Sequence, residues 1–258
     1  MRTETNQLKG FLSIFFLLSV CLGCRQELPH HDGLLPDGYV ALTFDDASVN
    51  NWYRNLSLLD SLNIKATFYV SKYHTLSPEQ KQKLQVIRAH GHEIAYHTTN
   101  HPDLRKLLEQ KGLDHVMDKE IYADLRMMQA DGFVLTDFAY PFGSHTVELD
   151  NELLKHFNSV RLLANKNNGM KSLVFQSCKK QLFYGPDIDD NQPKWPDNNT
   201  VQKLLAIAGE KRACAIFTGH EINNPNTKLA VSADRLRIIA EWAKQNNLQF
   251  VTIDKISE

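Results

Sequence analysis

Short apolar runs, each closed by polar or turn-forming residues, alternate along this chain with longer stretches of helical spacing. Residues 39–44 read as a buried strand that ends at Asp45 and Asp46. From Val49 to Leu62, Trp52, Leu56 and Leu59 share one helical face. A second strand follows at 65–70. Pro78 opens a helix that runs to about Ala89 and is stopped by Gly91. A short strand leads out of Gly91 to His97, and Pro102 is placed to begin the next helix at its first turn. A long helix is predicted near 115–130, with Val116, Ile121, Leu125 and Met128 on one side and Gly132 as its stop. Phe138-Ala139-Tyr140 is a strand halted by Pro141-Phe142-Gly143. After a helix near 147–157 comes the strand 160–163. Residues 164–200, rich in Asn, Asp, Gly and Pro, read as irregular. A helix near 200–209, a strand at 213–217 ending in Thr218-Gly219-His220, a helix near 232–246 and a strand at 248–252 complete the chain. Such regular alternation predicts an α/β fold built on a parallel sheet or barrel. No internal repeat or second domain is visible.

Composition narrows the partners more than the fold. Of 258 residues, 42% are hydrophobic and 23% charged, ordinary values that permit one sizeable core. The formal net charge of −1, without long charged runs, speaks against a nucleic-acid partner. No protein partner is indicated.

The first residues depart from this pattern. Arg2 and Lys9 precede the apolar run 11–20, which ends in Cys21-Leu22-Gly23-Cys24 and a polar stretch. A positive segment followed by an apolar one of this length is the layout of an export signal, and it is short for a bilayer span. The sequence before Cys24 resembles a bacterial lipoprotein cleavage box, although Cys21 stands where leucine is usual. Ordinary cleavage nearby or an uncleaved anchor are the alternatives. The expected organisation is a signal at 1–24, a tether at 25–36 and a catalytic domain at 37–258. On this reading the protein is exported and held in a bacterial cell envelope by lipid on Cys24. Two cysteines remain in the body. An exported protein could pair Cys178 with Cys214, but Cys214, inside Ala213-Cys214-Ala215-Ile216-Phe217, reads as a small buried hydrophobe.

Polar residues collect at the predicted strand ends: Asp45 and Asp46 after one, His97 and His101 after another, Pro141-Phe142-Gly143 after a third and His220 after a fourth. In a barrel, these C-terminal strand ends meet on one face. Two imidazoles and one carboxylate suit a divalent ion with an open position. His97, His101 and one of the two aspartates would supply them. Alternation along a strand aims adjacent side chains differently, so the other aspartate is left to take a proton from a water that the ion acidifies. His220 is placed to protonate a leaving group, and a backbone N–H of the Pro141-Phe142-Gly143 turn to steady an oxyanion. These parts describe metal-assisted acyl hydrolysis.

TFDDA (43–47), HTTNH (97–101), AYPFG (139–143) and FTGH (217–220), in this order, resemble the motifs of the polysaccharide deacetylase family, the NodB-homology domain or carbohydrate esterase family 4. The likeness spans about residues 38–254. It implies a distorted (β/α) barrel of about seven parallel strands in a single domain. It also implies Asp45 as general base, Asp46, His97 and His101 as ligands of one divalent metal, Phe142 as an oxyanion donor and His220 as general acid. Zinc is the expected metal, with cobalt, nickel or manganese as alternatives. The implied activity is removal of N-acetyl or O-acetyl groups from an acetylated poly- or oligosaccharide.

The pattern has departures. Ala139 stands where an arginine that orients the base is usual, so either another group holds Asp45 or its basicity is tuned differently. Thr218 replaces a common leucine. The aspartate-and-tryptophan motif has only candidates: Asp187, Asp189, Asp190 and Trp195. Each motif alone also has a structural reading, as a strand-end cap or a turn. The remaining eight histidines read as surface or outer residues, and Trp52 and Trp242 fit helix packing. The competing function is a glycan-binding surface lipoprotein with reduced or lost turnover. A Rossmann-type nucleotide enzyme is disfavoured, because no glycine-rich turn follows the first strand.

Overall fold

A computed structural model describes residues 38–175, 181–190 and 195–257. The signal, the Cys24 box, the tether and Cys178 lie outside the described residues.

The strands are β1 (Gly38–Asp46), β2 (Ala66–Val70), β3 (Glu93–Tyr96), β4 (Asp137–Ala139), β5 (Ser159–Ala164), β6 (Val174–Phe175), β7 (Gln181–Pro186), β8 (Cys214–Gly219), β9 (Glu221–Ile222), β10 (Ala230–Val231) and β11 (Leu248–Phe250). The helices are α1 (Val49–Arg54), α2 (Leu56–Ser61), α3 (Pro78–Ala89), α4 (Leu104–Lys111), α5 (Leu113–Val116), α6 (Tyr122–Ala130), α7 (Val147–Leu153), α8 (Asn198–Lys211), α9 (Ala233–Gln245) and α10 (Asp254–Ser257). A π-helical turn, Met117–Ile121, joins α5 to α6.

The order β8-β1-β2-β3-β4-β5-β7 is parallel throughout. A bridge between Asp187 and Thr218 brings the end of β7 back to β8. The result is the expected distorted seven-stranded barrel. Gly185 permits this closure: a Cβ there would lie 2.6 Å from Thr218 Oγ1. β11 pairs with the start of β1, just before β2 joins the same edge at Leu42.

Strand alternation sorts the two packing layers. Phe44, Phe68, Phe138 and Val160 face the helices in the main core, and Ala41, Tyr69, Ala95, Ala139 and Ile216 pack inside the barrel. The helices follow local signals. Ser77 and Gln80 form a reciprocal capping box on α3, a motif whose cap residue contributes about 1 kcal/mol. The C-terminal segment closes the end of the barrel opposite the motif residues: Ile253 N donates to Thr67 Oγ1 (2.9 Å) and Asp254 N to Glu93 Oε2 (3.1 Å).

Several elements differ from the sequence expectation. The helix from Val49 to Leu62 is broken at Asn55, whose Nδ2 donates to Asn51 O (2.9 Å) and Ile222 O (3.0 Å). Pro102 lies outside α4, because Asp103 is the cap and accepts from Lys106 N. The stretch 164–200 contains β6 and β7, and β7 is a barrel strand. His92 is buried rather than at the surface: it accepts from Ala66 N (3.1 Å) and packs against Phe68.

Candidate active site

β1 brings Asp45 into the barrel mouth. Its side chain is buried, and its Oδ2 accepts from Arg161 on β5. Asp45 Oδ1 is also buried and finds no hydrogen-bond partner among the described residues. Alternation alone would turn Asp46 outward, like Phe44. Instead Asp46 adopts φ +86°, a conformation that costs a non-glycine residue of order 1–3 kcal/mol. The turn returns its carboxylate to the mouth, where Oδ1 lies 3.1 Å from His101 Nε2 and 3.8 Å from His97 Nε2. Backbone strain, more than alternation, therefore lets both aspartates serve one site.

His97 follows β3 and is buried. Its Nδ1 sits 2.8 Å from the Ala139 carbonyl, which only accepts, so Nδ1 carries the proton and Nε2 presents a lone pair. Burial pushes its pKa down to about 4, so the ring is neutral. Asp46 stays ionised. Burial raises its pKa, but the His101 hydrogen bond and the charges of His97, His220 and His101 hold it at about 2. Donor atoms of Asp46, His97 and His101 all lie within 4.8 Å of one another. A carboxylate and two imidazoles, one with its tautomer fixed by a carbonyl, fit a borderline divalent cation. The loop between the histidines is tight, with positive φ at Thr98 (+70°) and His101 (+61°).

Pro141-Phe142-Gly143 forms a single 3-10 turn after β4. Phe142 has φ +59°, is 63% exposed and meets the His101 ring edge-on at 4.8 Å. Gly143 is required sterically, because a Cβ would lie 2.8 Å from Leu163 N.

His220 follows β8, and its Nδ1 lies 2.6 Å from Asp189 Oδ2. Asp189 is buried and also accepts from His220 N (3.2 Å). Burial lowers the His220 pKa, but the Asp189 hydrogen bond and the charges of Asp45, Asp189 and Asp46 outweigh it and bring it to about 9. Trp52 Nε1 donates to the His220 carbonyl (2.8 Å), which places this buried tryptophan behind the site.

The structure thus brings Asp45, Asp46, His97, His101, the Phe142 turn and His220 to one barrel mouth. One group there escaped sequence reasoning. Arg161 is the ladder partner of Ala139 and supplies the missing guanidinium from the neighbouring strand. Its signal was a lone arginine in an apolar strand, a residue rarely buried unless paired. Of the four candidates for the unclear motif, Asp189 is the one bound to His220. Asp187 is half-buried, with a pKa raised to about 6 by burial and the Asp189 charge. Asp190 accepts from Ser232 N (2.5 Å) at the start of α9, and Trp195 packs against the main core. Thr218 is buried, with its hydroxyl 3.4 Å from Thr43 Oγ1.

Residues 33–158 match the family model described as polysaccharide deacetylase, a span that holds Asp45, Asp46, His97, His101 and Phe142. The chain belongs to the polysaccharide deacetylase family. No curated protein matches it in sequence. Among solved structures, it is similar to the family 4 carbohydrate esterase domain of a multidomain xylanase from the hindgut metagenome of Trinervitermes trinervoides. Identity is 18% over 84% of this chain and 88% of that one, with a TM-score of 0.52. The catalytic domain of a peptidoglycan N-acetylglucosamine deacetylase from Eubacterium rectale is 18% identical over 86% and 92%, with a TM-score of 0.53. A family 4 pseudoenzyme from Bacillus anthracis is 18% identical over 86% of this chain and 66% of that one, at 0.55. These structures share the fold.

Proposed function

We propose that the protein is a metal-dependent hydrolase that removes acetyl groups from an N-acetylated or O-acetylated poly- or oligosaccharide. The observation that carries this reading is the convergence of Asp46, His97 and His101 beside Asp45, whose Oδ1 is buried and unpartnered. Asp46, His97 and His101 would hold one divalent ion, zinc first among the candidates. Such an ion supplies Lewis acidity toward the attacking water and the acetyl carbonyl. Asp45, fixed through Oδ2 by Arg161, takes the proton of the attacking water at Oδ1. A backbone N–H of the Phe142 turn donates to the oxyanion. His220, its Nδ1 proton held by Asp189, protonates the leaving amine or alkoxide from Nε2. The family match and the carbohydrate substrates named for the similar structures support the substrate class.

The competing reading, glycan binding without turnover, rests on the missing arginine at Ala139. Arg161 on Asp45 takes that ground away. Export and lipid attachment at Cys24 complete the reading and place the enzyme in a bacterial cell envelope. The test is acetate release from chitooligosaccharides, peptidoglycan fragments and acetylated xylan with zinc, cobalt, nickel or manganese added. Release from at least one substrate that a chelator abolishes is expected. No release from any of them with any of these metals would leave the binding reading standing.

A further inference from the structure

The loop His97–His101 offers two ligands of the proposed metal site while two of its residues hold left-handed conformations. Within the loop, only the bond from His101 N to Thr98 Oγ1 (3.0 Å) steadies that path. From outside, Lys72 N donates to Thr98 O (3.4 Å) and Tyr96 OH lies 3.0 Å from Thr99 Oγ1, but it is Glu120 that binds both Thr99 and Asn100. The Glu120 carbonyl accepts from Thr99 N (2.9 Å) and from Tyr96 OH (2.9 Å). Its carboxylate accepts from Asn100 N at Oε2 and from Asn100 Nδ2 at Oε1, both at 2.9 Å. Glu120 is buried, and among the described residues no lysine, arginine or histidine forms an ion pair with it.

Glu120 belongs to the π-helical turn Met117–Ile121, where the usual i→i−4 ladder is offset. One residue can there present both its carbonyl and its carboxylate to a neighbouring loop. Asp124 continues the contact, its N–H donating to Thr99 Oγ1 (3.3 Å).

We infer that Glu120 is the positioning residue of the metal-binding loop, setting the separation and aim of His97 and His101 by holding Thr99 and Asn100 between them. This rests on the metal-site reading above. Outer residues that orient metal ligands typically contribute about 10–100-fold in affinity. The carbonyl contacts survive side-chain substitution, so the loop stays docked in Glu120 variants while its carboxylate clamp is lost.

The experiment measures zinc affinity of the full chain by competition with a chromophoric chelator, with circular dichroism and thermal melting alongside. Glu120→Ala is expected to weaken zinc about 10–100-fold with an unchanged circular dichroism spectrum. Glu120→Gln should stay close to the wild type, because its amide oxygen still accepts from Asn100 N and Asn100 can turn its own amide so that Oδ1 meets the new NH2. Glu120→Met, of similar length but without an oxygen acceptor, should weaken zinc as Glu120→Ala does. Wild-type affinity in folded Glu120→Ala would overturn the inference. Should Glu120→Ala fail to fold, Glu120→Met decides, and wild-type affinity there overturns it. A wild-type protein that binds no zinc removes the metal-site reading itself, and this inference with it.

Discussion

Ala139 and Arg161 are direct partners across the β4–β5 ladder, and the arginine's guanidinium crosses the barrel interior to close on Asp45. Arg161 is fully buried, stacks 5.3 Å from the centre of the Tyr69 ring, and has its stem against Gly185. The small residues Ala95, Ala139 and Gly185 leave room for it. Removing one partner of a buried ion pair leaves an uncompensated charge and costs about 3–5 kcal/mol. Arg161→Ala should therefore lower the melting temperature and also reduce acetate release at temperatures where it stays folded. Arg161→Ala/Ala139→Arg returns a guanidinium from the paired position and should recover part of the turnover. If Arg161→Ala is destabilised yet turns over like the wild type, the arginine holds the barrel and not the base.

The two adjacent aspartates should separate by metal content. Asp46→Asn and His97→Ala remove ligand atoms and should leave the purified protein with far less than one transition metal per chain. Asp45→Asn should keep the metal and lose turnover by about 10²–10⁴-fold, the usual worth of a positioned acid or base. Elemental analysis beside acetate release decides. Metal loss in Asp45→Asn with retention in Asp46→Asn would reverse the two roles.

Much of this arrangement was legible in the chain. Barrel strands buried on both faces read as apolar runs, and the site motifs follow them directly. What escaped depends on register or on local breaks. Arg161 acts beside Ala139 only because β4 and β5 pair in one register, which a single sequence does not display. β7 was hidden because Gly185 and Pro186 truncate its apolar run. The π turn left no trace in the pattern, because Met117 is buried beside Val116 and stands an ordinary four residues before Ile121. Asp189 could not be chosen over Asp187 or Asp190, since all three sit in one polar loop and only the fold places one against His220.

Membrane attachment is a separate prediction. Gly38 starts β1 at the barrel end opposite the mouth that holds the site. A lipid on Cys24 would therefore join the chain on the side of the barrel away from the mouth. Cys24→Ser should abolish labelling by a fatty-acid probe and move the protein out of the membrane fraction. Labelling that persists in this variant would exclude Cys24 as the modified residue.

His220 and Asp189 make the last prediction, which concerns a proton. With its pKa near 9, the ring is charged at neutral pH, as a proton donor must be. An ordinary histidine titrates near ~6.5. A raised pKa means that the folded state favours the charged ring. That contribution to stability is complete below the ordinary value and fades as pH rises through about 9. Asp189→Asn removes the hydrogen-bonded carboxylate and its charge, the largest opposition to burial, so the pKa should fall. NMR titration of the His220 ring in metal-free wild type and in Asp189→Asn reads this directly. The stability difference between the two proteins should also narrow as pH rises from 7 toward 10. A His220 that titrates alike in both proteins would show that Asp189 only shapes the loop, and the donor role would then lack its electrostatic support.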